Sequence, residues 1–213
     1  MSRLESIVVG FVTGILSPLS LFVLCWWTTA ALVSYHVLPI PDSGIAVAAF
    51  TGLAMGVVLD VLRLKNWIAK FYTVDVKLMV LAYLFWSTIA VAFFMGLPFG
   101  NIALGTLAGV YVGRRQYHTG ESGQSFPKAA RNVGIFTALV TGAEALPIGL
   151  LTLDERRIMG LLEAVVGLDQ SVTTGPIGIG LVGLVCVVLM VVQFWCTRTA
   201  AWLAFGLGRA GGA

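Results

Sequence analysis

Six long apolar stretches, separated by short polar segments, limit what this chain can fold into more than any other feature. A helix needs about 20 mostly apolar residues to cross a bilayer, because the hydrocarbon core is about 30 Å thick. We therefore expect an all-α, polytopic integral membrane protein: a compact bundle of about six transmembrane helices with short interfacial helices, forming one domain over residues 1–213. The expected spans are residues 7–33, 45–62, 78–95, 98–113, 133–153 and 177–197.

The composition excludes an ordinary soluble domain. Hydrophobic residues make up 58% of the chain and charged residues only 11%, whereas soluble domains carry about 25% charged residues. No basic run interleaved with aromatic residues is present, so nucleic acid is not an expected partner. The three cysteines, Cys25, Cys186 and Cys196, lie within apolar stretches and predict neither a disulfide framework nor a zinc site.

The basic residues are distributed unevenly over the connecting segments. With the N-terminus in the cytoplasm, the cytoplasmic segments hold 11 of the 13 Lys and Arg residues, and the outer segments hold only Arg156 and Arg157. Cytoplasmic loops of membrane proteins carry such an excess of basic residues. The pattern predicts a multi-pass protein of the inner (cytoplasmic) membrane with both termini in the cytoplasm.

Polar segments are expected to interrupt the helices at the membrane surface. Residues 63–77 form the first charged connector, with a short helix at the headgroup level, and residues 114–132 form the main polar loop. The amphipathic stretch 154–170 is expected to lie flat on the surface, with a further crossing as the alternative. The tail 198–213 is expected to be a separate interfacial segment.

Glycines recur at a spacing of four residues within several of the apolar stretches. Such ridges of small residues let two helices approach closely in lipid. The sequence leaves open whether they face another helix of the same bundle or another subunit. They are Gly52 and Gly56 in the second stretch, Gly105, Gly109 and Gly113 in the fourth, and Gly134, Ala138 and Gly142 in the fifth.

Glu144 is the leading candidate for a functional residue, because a charged side chain at mid-membrane costs at least about 2.5–3.5 kcal/mol on insertion scales. Thr137 and Thr141 precede it at a spacing that places all three on one helix face. Pro147 removes a backbone donor and can kink the helix beside this polar stripe. A polar stripe next to a kink is typical of transporter binding sites. The alternative is a glutamic acid that only holds helices together.

Two intramembrane amides, Asn101 and Gln193, are further candidates for a substrate-binding site. Four hydroxyl residues are secondary candidates for the same polar lining, although each is more often a simple interhelical hydrogen bond. These are Tyr83, Ser87, Thr88 and Thr106. The fourth span is short, so we expect a short or partly re-entrant helix that lines a cavity.

Charged residues at the predicted inner surface suggest further roles. Asp60 and Arg63 lie three residues apart and can form an ion pair on one helix face. Arg114 and Arg115 are placed to bind lipid headgroup phosphates.

Three interpretations of function remain open at this point. The first is a small-solute transporter, or its membrane-embedded substrate-binding subunit, with a polar site around Glu144. The second is an accessory or scaffolding subunit of a larger membrane complex, favoured by the glycine ridges and short loops. The third and least favoured is a lipid-modifying enzyme in which His118 and Glu121 converge in a groove at the inner leaflet.

The six-helix, glycine-rich layout resembles in outline the substrate-binding subunits of vitamin uptake systems and small integral subunits of cell-envelope machines. That resemblance assigns no functional residues. No catalytic motif, cofactor or metal site is expected, which favours a protein that is not an enzyme. The expected partners are membrane lipids and other membrane subunits or a second copy of the chain.

Overall fold

The structure is a computed structural model that describes residues 3–37, 39, 41–94, 99–120, 125–152 and 176–210. Within these ranges the chain forms six α-helices and one short 3₁₀ turn, Phe71–Thr73. The helices are α1 (Arg3–Ser34), α2 (Asp42–Lys70), α3 (Val76–Phe93), α4 (Phe99–His118), α5 (Phe126–Thr152) and α6 (Pro176–Ala210).

Five of these helices, all except α4, are long and apolar enough to cross a membrane. This confirms the prediction of an all-α helical membrane bundle. The 20 residues of α4 span about 30 Å at about 1.5 Å per residue, which is longer than the sequence indicated. The predicted amphipathic stretch 154–170 lies outside the described residues.

Two of the helices continue well past the apolar stretches that predicted them. Helix α2 runs to Lys70, through the first half of the connector predicted at 63–77, and α6 runs unbroken to Ala210. The expected headgroup-level helix and the expected separate tail are therefore wrong. The reason is local, since residues 63–70 and 198–205 contain neither Gly nor Pro. Without such a residue, nothing ends a helix where its apolar side chains end.

The predicted polar loop at 114–132 is also shorter than expected. Helix α4 continues to His118, and Gly120 follows with a φ of 65°, a left-handed conformation that commonly ends helices. Helix α5 begins at Phe126, with Pro127 in its first turn, where proline is favoured because the amide lacks a helical partner anyway.

The internal contacts group the chain into two units, Met1–Phe71 and Tyr72–Ala213. In the first unit, α1 and α2 pack as a helical hairpin. A Cβ atom on Gly52 would lie 2.4 Å from the carbonyl oxygen of Leu21, and one on Gly56 would lie 2.4 Å from the Cα atom of Pro18. The predicted glycine ridge of α2 therefore faces α1.

The second unit is a bundle of α3, α4, α5 and α6, in which α4 packs closely along α6. A Cβ atom on Gly109 would lie 2.2 Å from the carbonyl oxygen of Thr197, and one on Gly113 would lie 2.3 Å from that of Ala201. Neither distance leaves room for a side chain. The α4 glycines thus allow the two backbones to approach within van der Waals contact.

The ridge of α5 also faces α6. A Cβ atom on Gly142 would lie 2.5 Å from Met190 Sδ, and one on Gly134 would lie 2.9 Å from the ring of Phe194. Ala138, between these glycines, is buried. All three predicted ridges are therefore covered by a helix of the same unit.

Candidate functional site

The carboxylate of Glu144 joins three helices of the second unit. Ser87 in α3 donates its hydroxyl to Glu144 Oε2 over 2.8 Å, and Asn101 in α4 donates its side-chain amide to the same oxygen. Ser87 and Asn101 are fully buried, whereas Glu144 is half-buried. Within the described residues, no hydrogen bond reaches the other carboxylate oxygen, Oε1. One oxygen of Glu144 is thus held in place, and the other remains available.

The sequence positions these groups through the cost of polar atoms in lipid. Helix α5 carries Thr137, Thr141 and Glu144 on one face, and both threonines have no exposed surface. That face points into the bundle, because polar side chains in transmembrane helices are far more costly toward lipid. Helix α5 continues through Pro147, which is exposed, to Thr152.

A second group of polar side chains lies on the other side of Thr141. The Thr137 and Thr197 hydroxyls are 2.9 Å apart, and Gln193 donates its amide to Thr197 Oγ1 over 3.3 Å. A Cβ atom on Gly105 would lie only 1.6 Å from Gln193 Nε2. Gly105 therefore provides the space that the Gln193 side chain fills, a role beyond helix packing.

Four buried side-chain oxygen atoms of the second unit have no hydrogen-bond partner within the described ranges. Tyr83 lies one turn from Ser87 on α3, Thr141 one turn from Glu144 on α5, and Gln193 packs on Gly105, one turn from Asn101. The four atoms are therefore brought to neighbouring turns of all four helices, and we call them the oxygen layer. They are Tyr83 Oη, Asn101 Oδ1, Thr141 Oγ1 and Gln193 Oε1.

The oxygen layer adjoins the carboxylate. Tyr83 lies one turn from Ser87, whose hydroxyl bonds the Glu144 carboxylate. The Asn101 side chain connects the oxygen layer to the carboxylate. Its amide nitrogen bonds Glu144, and its amide oxygen, which belongs to the oxygen layer, has no described partner. Most buried polar atoms in folded proteins have partners, so four exceptions on neighbouring helices single out this part of the bundle as the candidate site.

The secondary candidates from the sequence divide into two classes. Ser87 and Tyr83 belong to the site. Thr88 and Thr106 instead donate to carbonyl oxygens of their own helices, over 3.0 Å to Leu84 and 2.8 Å to Ile102. Thr197 was missed by the sequence analysis, because it was counted as the end of a span although α6 continues past it.

Asp60 and Arg63 occupy different environments in the first unit. Asp60 is 8% exposed and lies against α1, with Oδ2 4.0 Å from the position of a Cβ atom on Gly14. Arg63 is exposed, and within the described part of the chain no ion pair joins it to Asp60. Asp60 Oδ1 is buried and has no described hydrogen-bond partner either.

The arginines predicted to bind lipid headgroups are half-buried at one end of the bundle. The Arg114 guanidinium lies 5.3 Å from the centre of the Tyr117 ring, and the Arg115 side chain lies beside that of Tyr111. The His118 ring stacks on the buried Tyr72 ring at 4.7 Å. Glu121, the predicted partner of His118, lies outside the described residues.

The chain matches no protein-family model, no curated protein and no solved structure.

Proposed function

We propose that the protein binds a small solute at Glu144 within the membrane and serves in its transport, alone or as the substrate-binding subunit of a transporter. The observation that carries this proposal is a carboxylate fixed through one oxygen by two other helices, beside a layer of buried oxygens without described partners. The uneven distribution of Lys and Arg supports a location in the cytoplasmic membrane with both termini in the cytoplasm.

A purely structural role for Glu144 accounts less well for its surroundings. A glutamate that only joined helices would be sealed among satisfied polar groups, as most buried polar atoms are. Here Glu144 is half-buried and the adjoining oxygens lack described partners. An unsatisfied buried polar group lowers the stability of the folded protein by about 1–3 kcal/mol. Four such groups would make a purely structural contact strongly destabilising.

The contacts of the glycine ridges argue against the alternative of an accessory subunit. That interpretation expects either the glycine ridges or the aromatic tail to face a partner protein. The ridge of α4 is instead covered by α6, and the ridge of α2 is covered by α1. Because the solute-binding interpretation does not depend on free ridges, it remains the better supported of the two.

A thermal-stability screen of the purified chain in nanodiscs tests the proposed function against several chemical classes of solute. A ligand that binds only the folded state raises the unfolding temperature by mass action. We expect at least one class among alkali cations, amines, amino acids, sugars and carboxylates to stabilise the protein. The effect should disappear in Glu144→Gln and persist in Asp42→Asn, a matched removal of an exposed carboxylate. A screen in which no solute discriminates between these two variants contradicts the proposal.

A further inference from the structure

We propose that the solute recognised at Glu144 is a small monovalent cation, either an alkali-metal ion or a protonated amine. This inference rests on the proposed function for the location of the site. It goes beyond that function by assigning the chemical class of the ligand and the atoms that bind it. The assignment follows from the kind of atom left without a partner, the charge of the site and the orientation of two amides.

Every unpartnered atom in the site is an oxygen. The amide oxygens of Asn101 and Gln193 can only accept hydrogen bonds, and the hydroxyls of Tyr83 and Thr141 can accept as well. The available Oε1 of Glu144 is also an acceptor. All the unpartnered groups can therefore accept, and only the two hydroxyls can also donate. Carbonyl, hydroxyl and carboxylate oxygens are the ligands preferred by hard cations, and they equally accept the N–H groups of an ammonium.

The charge of the site fits a single positive charge. Glu144 is the only carboxylate in the site, and no Lys, Arg or His lies within four residues of Ser87, Asn101, Glu144 or Gln193 in the sequence. The sequence next to these residues therefore offers an anion no basic group. Calcium sites usually combine several carboxylates, and no cluster of three acidic, His or Cys side chains occurs among the described residues. A monovalent cation is the ligand that a single carboxylate balances.

The two amides are oriented so that their oxygens remain available. Asn101 uses its nitrogen to bond Glu144, and Gln193 uses its nitrogen to bond Thr197. The first bond settles which end of the Asn101 amide is the oxygen, since reversing that amide would place two acceptors together at Glu144. Glu144 thus positions the Asn101 oxygen, whereas the Thr197 hydroxyl, which can donate or accept, bonds the Gln193 amide without fixing which end faces it.

Thr141→Val separates ligand binding from structure. Valine matches threonine closely in shape, and the Thr141 hydroxyl has no described partner to lose. If that hydroxyl binds the cation, the substitution should weaken cation affinity by about tenfold or more, which corresponds to about 1.4 kcal/mol. Thr88→Val is the matched control, because Thr88 donates to the carbonyl of Leu84 on its own helix and is exposed.

The deciding experiment is isothermal titration calorimetry of the full chain in detergent with sodium, potassium and methylammonium chloride. We expect at least one of these salts to bind the wild type and Thr88→Val equally. We expect Thr141→Val to bind it about tenfold more weakly and Glu144→Gln to show no binding. The preferred salt distinguishes an alkali ion from an amine. Size-exclusion chromatography and circular dichroism show whether each variant is folded. If Glu144→Gln does not fold, the comparison of Thr141→Val with Thr88→Val still tests the inference.

Three results would overturn the inference. Equal cation binding by wild type, Thr141→Val and Glu144→Gln would place the cation elsewhere. No cation binding by the wild type, together with a neutral or anionic solute that stabilises it through Glu144, would refute the cation and leave the proposed function standing. If neither a cation nor any other solute binds, both proposals fail together.

Discussion

Asn101 donates its side-chain amide to the Glu144 carboxylate across 43 residues of sequence, linking the beginning of α4 to the C-terminal third of α5. Ser87 reaches the same oxygen from α3. This shared acceptor makes Glu144 the point at which three helices meet, and it leaves Glu144 Oε1 and Asn101 Oδ1 without described partners. Each part of this arrangement can be tested by a separate substitution.

Glu144→Ala should destabilise the protein more than Glu144→Gln. Alanine leaves the buried Ser87 and Asn101 donors without their acceptor, at about 1–3 kcal/mol for each unsatisfied group. Glutamine retains an oxygen that accepts from both and removes a charge from the membrane interior. Thermal unfolding in detergent, followed by intrinsic fluorescence, measures the difference. Equal stability of the two variants would show that these hydrogen bonds contribute little.

Thr141→Val and Thr137→Val should shift the stability of the ligand-free protein in opposite directions. Both threonines are fully buried on the same face of α5. Thr141→Val removes an unpaired hydroxyl and should stabilise by up to about 1–3 kcal/mol, whereas Thr137→Val removes hydrogen bonds and should destabilise by about 1 kcal/mol. Denaturant or thermal unfolding provides the comparison. A loss of stability in both variants would mean that Thr141 also has a partner in the folded protein.

Gly109→Ala should disrupt the contact between α4 and α6. The new Cβ atom would lie 2.2 Å from a backbone carbonyl oxygen, so one helix must move, and such overpacking typically costs about 1–3 kcal/mol or more. Gly206→Ala is the control, since no atom lies within 4 Å of the corresponding Cβ position. The control should be neutral or slightly stabilising because alanine is the better helix former. Similar unfolding temperatures for both variants would contradict the close approach of these helices.

His36→Gly should stabilise the protein by about 1 kcal/mol, because glycine adopts a left-handed conformation without the steric cost of a Cβ atom. His36 follows α1 with a φ of 55°, and hydrogen bonds from His36 N to Val33 O and from Val37 N to Leu32 O close the helix end, each at 2.9 Å. Tyr35→Gly is the control, because Tyr35 does not have a positive φ. Calorimetric unfolding of the two variants should show opposite shifts, and a loss of stability in His36→Gly would contradict the assigned backbone conformation.

The sequence predicted the membrane helices and the buried polar face of α5 through simple rules. Apolar stretches of sufficient length located the spans, and the spacing of Thr137, Thr141 and Glu144 predicted their common face. The ends of the helices were predicted less well. Hydrophobicity predicts which residues lie in lipid, but a helix can continue beyond them as long as its backbone hydrogen bonds do. Helix α2 therefore ends at Lys70 rather than at residue 62, where the predicted span ended.

The partners of Glu144 could not be deduced from the sequence with the same certainty. Ser87 lies 57 residues away on a helix whose own pattern gives no register relative to α5. Its burial depends on how α3 rotates about its axis in the bundle. The small residues of α4 indicated a close neighbour, but only the structure identifies that neighbour as α6 and shows that Gly105 makes room for Gln193.

The central claim, that Glu144 is a ligand-binding carboxylate, is tested most directly by its reaction with the hydrophobic carbodiimide N,N′-dicyclohexylcarbodiimide. Mass spectrometry of the protein in nanodiscs would give the rate of modification at Glu144 in sodium, potassium or methylammonium chloride, compared with the bulky cation choline at equal ionic strength. We predict that Glu144 is modified in choline chloride and that at least one small cation slows the reaction in a saturable manner. Modification at the same rate in every salt, or no modification of Glu144 in any of them, would contradict the claim.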